Sequence, residues 1–172
     1  RAERKRINTR FQNKAFKKFV NLTQLMIFSN NMEYDDESTE AIQGAFYATS
    51  SYTKLIFNYF REEEIFDLDE ILKPLNEDTE NFLLKDTNYS IMKHNPEFII
   101  NKNPNTPTNR LSTSILSIDR LCFILKYSIA YVQETDAIEK HIMRYPQIFA
   151  TKAIKLKLDE GVKKGIIWHT QG

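Results

Sequence analysis

The sequence predicts a mainly helical protein that carries a short two-stranded antiparallel β-ribbon. Glycine and proline are scarce, with four and five residues in a chain of 172, while Leu, Ile, Phe, Lys and Glu are plentiful. This composition favours long helices over a turn-rich sandwich or a nucleotide-binding α/β sheet. Two short runs, at 5–11 and 97–103, have the features of strands instead. At this length we expect a single domain, residues 1–172.

The first expected strand is the run 5–11, in which polar and less polar residues alternate. The residues that would face outward are Arg6, Asn8 and Arg10, and those that would face inward are Ile7, Thr9 and Phe11. A period of two residues is typical of a half-buried strand. The run therefore predicts a strand with a basic, amide-bearing face.

The spacing then becomes helical from Ala15 to a break at 29–31, and a second helix is expected over 38–60 with Ser38 as its N-cap. Residues 5–65 thus predict a strand-helix-helix unit. The acidic run 62–64 is interpreted as the solvated end of its second helix. Residues 68–92 predict one or two linking helices, with Pro74 either opening one of them or kinking it.

The second half repeats this order over 97–165. The run between Pro96 and Pro104 is β-prone and bounded by prolines, which predicts a second strand. Thr106 and Pro107 form an N-cap and a first helical residue, and apolar residues follow at helical steps up to residue 132. A last helix is expected after Thr135, with Pro146 as a kink and Gly161 or Gly165 as its stop.

An antiparallel ribbon fits the major groove of B-DNA, where arginine pairs with guanine and asparagine with adenine. On the second strand Asn101 and Asn103 share one face and Lys102 the other, and the register between these faces stays open. The residues expected to bind DNA are therefore Lys5, Arg6, Asn8, Arg10, Asn101, Lys102 and Asn103.

The candidate first strand, the second strand with its Asn-Pro boundary and the segment 117–121 (SIDRL) resemble the AcaB-type transcriptional regulators of conjugative plasmids and integrative elements. The resemblance implies a single-chain double ribbon-helix-helix fold, here with extra helices. It also implies sequence-specific binding of double-stranded DNA and control of conjugative or mobile-element genes. The DNA-facing role would fall on Arg6, Asn8 and Arg10. A monomer would suffice, while self-association on adjacent DNA sites stays open.

Charge, cysteine content and sequence motifs bear on the binding partner, the compartment and the possibility of an enzyme. The net charge is only +1, but cations crowd the first 18 residues and acids crowd 33–37 and 62–70, which predicts a basic pole. The single cysteine excludes an internal disulfide and favours a reducing, cytoplasmic compartment. No run is apolar enough for a membrane helix. The sequence contains no catalytic, metal or cofactor motif, so we expect neither an enzyme nor a cofactor.

Two other functions remain at this stage. A helical protein-interaction or adaptor module of a plasmid or phage assembly would use the wide aromatic face of the helix expected within 42–60. RNA binding through stacked aromatic side chains is weaker, because the aromatic residues have the spacing of a helical core.

Overall fold

The computed structural model describes residues 2–33, 42–50, 55–65, 73–85, 88–135 and 138–168. About half of these residues are helical, and two small antiparallel sheets accompany the helices. The predicted mainly helical fold with a single two-stranded ribbon is therefore wrong, and the expected strand-helix-helix order appears in neither half of the described chain.

The first half begins with helices and continues as a sheet. Helix α1 spans Ala2–Gln12 and α2 spans Lys14–Leu22. Strands β1 (Met26–Glu33), β2 (Ile42–Ala48) and β3 (Asn58–Phe60) then form a sheet in the order β1-β2-β3. The strand predicted at 5–11 is thus part of α1. The helix predicted over 38–60 is wrong for the described residues of that range, which contain β2 and β3 instead. Ser38, its expected N-cap, lies outside the described residues.

The described residues of the second half form five further α-helices and a two-stranded sheet. Helix α3 spans Glu77–Leu84, and a 3-10 helix follows at Asn88–His94. Helices α4 (Pro96–Asn101), α5 (Pro107–Ser114) and α6 (Ile118–Phe123) precede a π-helical turn at Ile124–Ser128. Strands β4 (Ile129–Gln133) and β5 (Ile138–Ile142) then pair, and α7 spans Tyr145–Asp159.

The strand predicted at 97–103 is wrong, because the sequence at its start contains the cap of a helix. Asn95 caps α4 by accepting the backbone N–H of Glu97 at 2.8 Å, and Pro96 occupies the first helical turn. Proline is favoured there because its missing N–H has no partner in a first turn. The same logic, applied to Thr106 and Pro107, correctly predicted the start of α5. Pro146 likewise lies in the first turn of α7 and does not kink it.

Two clusters form the interior. The larger packs the inner face of the first sheet against α5, the π-helical turn and α7, through Ala45, Tyr47, Phe60, Leu111, Ile115, Ile124, Ile148 and Phe149. Full burial of each large apolar side chain contributes roughly 1.5–3 kcal/mol. Tyr47 is completely buried, and its hydroxyl donates to the carbonyl oxygen of Met143 at 2.6 Å. Of the face assigned to a partner in the adaptor hypothesis, Ala45 and Phe60 lie in this core, whereas Tyr59 is 51% exposed.

The smaller cluster holds the two N-terminal helices. Phe11 of α1, Val20 of α2 and Leu55 are buried together, and Ile7, Met26 and Phe57 pack around them. Ile7 and Phe11 both reach this cluster because residues four apart lie on one side of a helix. This cluster fixes which side of α1 faces the solvent.

Candidate nucleic-acid interface

Helix α1 presents a basic face to the solvent. Its residues advance by about 100° each around the helix, so Arg6 and Arg10 lie on one side and their Cα atoms are roughly 6 Å apart along the axis. Ile7 and Phe11 occupy the buried side. A groove of about 480 Å³ follows the exposed side and is lined by Lys5, Arg6, Thr9, Arg10, Asn13 and Phe16.

Asn13 shapes this groove by separating the two helices. Its backbone N–H donates to the carbonyl oxygens of Thr9 and Arg10, at 3.1 and 3.2 Å, and ends α1. Its Oδ1 accepts the N–H of Ala15 at 2.9 Å and caps α2. Asparagine favours this position because its side chain replaces the missing backbone acceptor of a first turn. The break brings Phe16, in the first turn of α2, to the end of the basic groove.

The two N-terminal helices carry a marked excess of positive charge, although Glu3 also belongs to α1. Residues 4–22 contain no Asp or Glu, and their cations are Arg4, Lys5, Arg6, Arg10, Lys14, Lys17 and Lys18. Within the described chain, no carboxylate lines the groove. A cationic concave surface without acidic residues attracts a polyanion and repels other cations.

Helix α2 adds an exposed apolar edge beside this charge. Val20 is the residue of α2 that is buried. Phe16, Phe19 and Leu22 are 50%, 73% and 77% exposed. The basic and apolar features of the N-terminal helices therefore lie next to each other, and both face the solvent.

The predicted DNA-binding residues separate into two groups. Lys5, Arg6 and Arg10 line one groove, where a helix brings them together. Asn8 lies roughly 160° around α1 from Arg6 and Arg10. Its Oδ1 is buried and has no hydrogen-bond partner among the described residues. The period-two interpretation had placed Asn8 beside the two arginines.

Asn101, Lys102 and Asn103 are not part of the groove lining. The side chain of Asn101 accepts a hydrogen bond from Asn31 of β1 at 2.7 Å. Oδ1 of Asn103 accepts the N–H of Asn105 at 3.0 Å. The ammonium group of Lys102 contacts the carboxylate of Glu80 and lies 4.7 Å from the ring centre of Phe98. These contacts shape the local chain around α4.

Sequence analysis missed a buried ion cluster on another side of the molecule. The side chains of Arg120 and Glu62 are each 2% exposed and approach to 3.3 Å. Glu64 lies 2.5 Å from both Arg120 and Lys152. The acidic run 62–64 is therefore anchored to α6 and α7 and is not simply the solvated end of a helix.

Opposing influences act on Glu64. Burial alone would raise its pKa, but the hydrogen bonds and positive charges of Lys152 and Arg120 outweigh burial and hold the pKa below its usual value. Glu64 is therefore ionised near neutral pH, as the ion cluster requires.

This cluster lies beside an open cleft of about 1530 Å³ between β3, α7 and the C-terminal segment. Its charged lining residues are three cations and three acids: Arg144, Lys152, Lys155, Glu63, Glu64 and Asp159. Because these charges balance, the cleft has no net charge that would select a polyanion. The α1 groove is thus the better candidate for nucleic acid.

The described residues were also searched for metal sites and for membrane-spanning helices. Among the residues with described structure, no group of three or more His, Cys, Asp or Glu could hold a metal ion. In the same part of the chain, no helix has the length and apolar character needed to cross a membrane. Comparisons with protein-family models, curated proteins and solved structures found no match for this chain.

Proposed function

We propose that this protein binds double-stranded DNA through the basic face of α1. The observation that carries the proposal is the shared groove of Lys5, Arg6 and Arg10, which no described carboxylate lines. The acidic segments lie later in the sequence, so the charge of the chain is polarised although its net charge is only +1. Polarisation of this kind orients a protein on a polyanion.

The dimensions of α1 suit the DNA major groove. The major groove of B-DNA is about 12 Å wide and admits one α-helix. Arg6 and Arg10 are exposed on one side of α1, so both guanidinium groups can reach base edges together. Arginine donates two parallel hydrogen bonds to O6 and N7 of guanine. We therefore assign to helix α1 the base contacts that sequence analysis had assigned to a β-ribbon.

The remaining cations suit contacts with the phosphate backbone. Lys5 lies in the groove, and Lys14, Lys17 and Lys18 are exposed on α2. Lysine binds phosphate as a point charge and carries little sequence information. We assign the lysines to affinity and the two arginines to specificity. Control of conjugative or mobile-element genes stays part of the proposal, but the two segments expected as strands in the resemblance to AcaB-type regulators are helices here.

The test is binding to a mixed pool of duplexes across a salt series, measured by fluorescence anisotropy and by sequencing of the bound fraction. The test variant replaces Lys5, Arg6 and Arg10 with alanine. The matched control replaces Lys126, Lys163 and Lys164 with alanine. These lysines are also exposed, so the control removes the same amount of positive charge. Circular dichroism checks that both variants keep the helicity of the parent.

We expect the parent to enrich a defined motif and its affinity to fall steeply with salt. Each lost phosphate contact should reduce the slope of log K against log salt by about 0.9. The groove variant should lose the motif, and the control should keep it. Equal binding by both variants, or affinity that salt does not change, would refute the proposal.

A further inference from the structure

Phe16 occupies an unusual place in the basic groove. Its ring lines the same surface as Lys5, Arg6 and Arg10, yet half of the residue is exposed to water. Exposure of an aromatic ring is unfavourable in water, and burial against a ligand would recover that free energy. The ligand that fills the groove is therefore also the group that Phe16 would contact.

The charges beside Phe16 indicate the chemistry of that ligand. Cations line the groove next to the ring, and no acidic residue occurs between positions 4 and 32. A ligand with negative charge along its edge and flat apolar faces inside complements this arrangement. DNA has both properties, because its phosphates surround stacked bases.

We propose that Phe16 inserts against a base step of the bound duplex, unstacks it and bends the DNA. This inference rests on the proposed function and adds deformation of the DNA to it. Apolar wedges that enter base steps from the minor groove bend DNA by roughly 20–90°, and here the ring would enter from the major groove, beside α1. Flexible steps such as TA and CA resist this least, so Phe16 favours sites that contain one at the point of insertion.

Phe19 provides a matched control on the same helix. It is more exposed than Phe16, at 73% against 50%, but it does not line the groove. Replacement of either residue with alanine removes one exposed ring from α2. A difference between the two variants therefore reports the position of the ring, not its hydrophobicity.

The experiment uses the full chain and short duplexes of the enriched motif. 2-Aminopurine, placed at each position in turn, reports unstacking by its fluorescence, and dyes at the two ends report bending by energy transfer. We expect the parent to raise both signals at one step. Phe16→Ala should lose both and bind about tenfold more weakly. Phe16→Tyr, which keeps a stacking ring, and Phe19→Ala should retain both.

The outcomes separate this inference from the proposed function. If the parent binds with the expected salt dependence but raises neither signal, the wedge is refuted and DNA binding stands. Equal signals from the parent and Phe16→Ala would also refute the wedge, as would equal losses from Phe16→Ala and Phe19→Ala. If the parent does not bind DNA, both proposals fail.

Discussion

Asn31 and Asn101 are joined side chain to side chain across 70 residues of sequence, with Nδ2 of Asn31 donating to Oδ1 of Asn101 at 2.7 Å. Oδ1 of Asn31 also accepts the backbone N–H of Thr108 at 2.9 Å. Asn31 is 6% exposed, so these bonds satisfy polar atoms that water reaches poorly. Strand β1 is thereby fixed to α4 and to the first turn of α5.

Replacement of Asn31 with alanine should therefore destabilise the fold. It leaves a backbone N–H of α5 and an amide oxygen of Asn101 without their partner, at a cost of about 1–3 kcal/mol. Urea denaturation followed by circular dichroism measures this loss. Asn105→Ala, at an exposed position, is the control and should cost less than about 0.5 kcal/mol. Equal stabilities of the two variants would contradict the role given to Asn31.

Replacement of Arg120 with methionine should be more severe. The carboxylate of Glu62 would remain buried without its charge partner, which typically costs about 3–5 kcal/mol. Arg120 also lies 4.8 Å from the ring centre of Phe149, so packing is lost as well. Lys152→Met removes a more exposed partner of Glu64 and should cost no more than about 1 kcal/mol. Addition of Glu62→Gln to Arg120→Met should restore part of the loss in thermal unfolding.

Acid should weaken this protein partly through Glu64. Its pKa in the folded state is lowered, so the unfolded chain binds a proton at a higher pH than the folded chain does. Stability from Glu64 is thus complete above its unfolded pKa, roughly 4.3, and is lost as pH falls through the lower folded value. Glu64→Gln should flatten the pH dependence of the free energy of unfolding in this range. An unchanged slope below pH ~4.3 would show that Glu64 does not contribute.

Lys140 should be needed for stability although it has no carboxylate partner in the described contacts. Its ammonium group donates to the carbonyl oxygens of Asn21 and Thr23, at 2.6 and 2.8 Å. Lys140→Met would remove the charged donor from the end of α2, and we expect a loss of about 1–3 kcal/mol. Lys163→Met, at an exposed position, serves as the control in the same denaturation series. A loss no larger than that of the control would contradict this assignment.

The pKa of Lys140 gives this position a second, independent test. Burial lowers the pKa below its usual value, so the folded state releases its proton at a lower pH than the unfolded state. The unfolded chain then binds more protons between the two values, and this residue's contribution to stability rises with pH there. The parent should show this rise when alkaline unfolding is compared with that of Lys140→Met.

The run 5–11 shows where sequence analysis was limited. Ile7 and Phe11 fit both an alternating strand and a helix, because positions four apart satisfy both periods. As part of a helix, Phe11 is buried against Val20 of the next helix and against Leu55, which is distant in sequence. The composition of the run correctly indicated that it is cationic. The position of Asn8 relative to Arg6 could not be predicted without knowing whether the run has the two-residue period of a strand or the 3.6-residue period of a helix.

Local capping signals were correct at some positions and wrong at others. Thr106 and Pro107 correctly marked the start of α5, and Gly161, with φ of +86°, is one of the two glycines expected to stop the last helix. The helix start expected after Thr135 was wrong, because β5 occupies 138–142 and α7 begins at Tyr145. Within 42–60, apolar residues lie on both sides of β2 and suggested a helix. The ion pair of Glu62 and Arg120 joins residues 58 apart and left no local pattern to find.

Lys140 of β5 holds the last turn of α2, while Phe11 and Val20 hold both N-terminal helices against the body. The basic helices are therefore ordered before any encounter with DNA, and their conformational entropy is lost during folding, not during binding. If the proposed function holds, the protein docks on DNA as a preordered body, and folding of these helices adds nothing to the heat-capacity change of binding. Any conformational change that binding requires would then occur in the DNA.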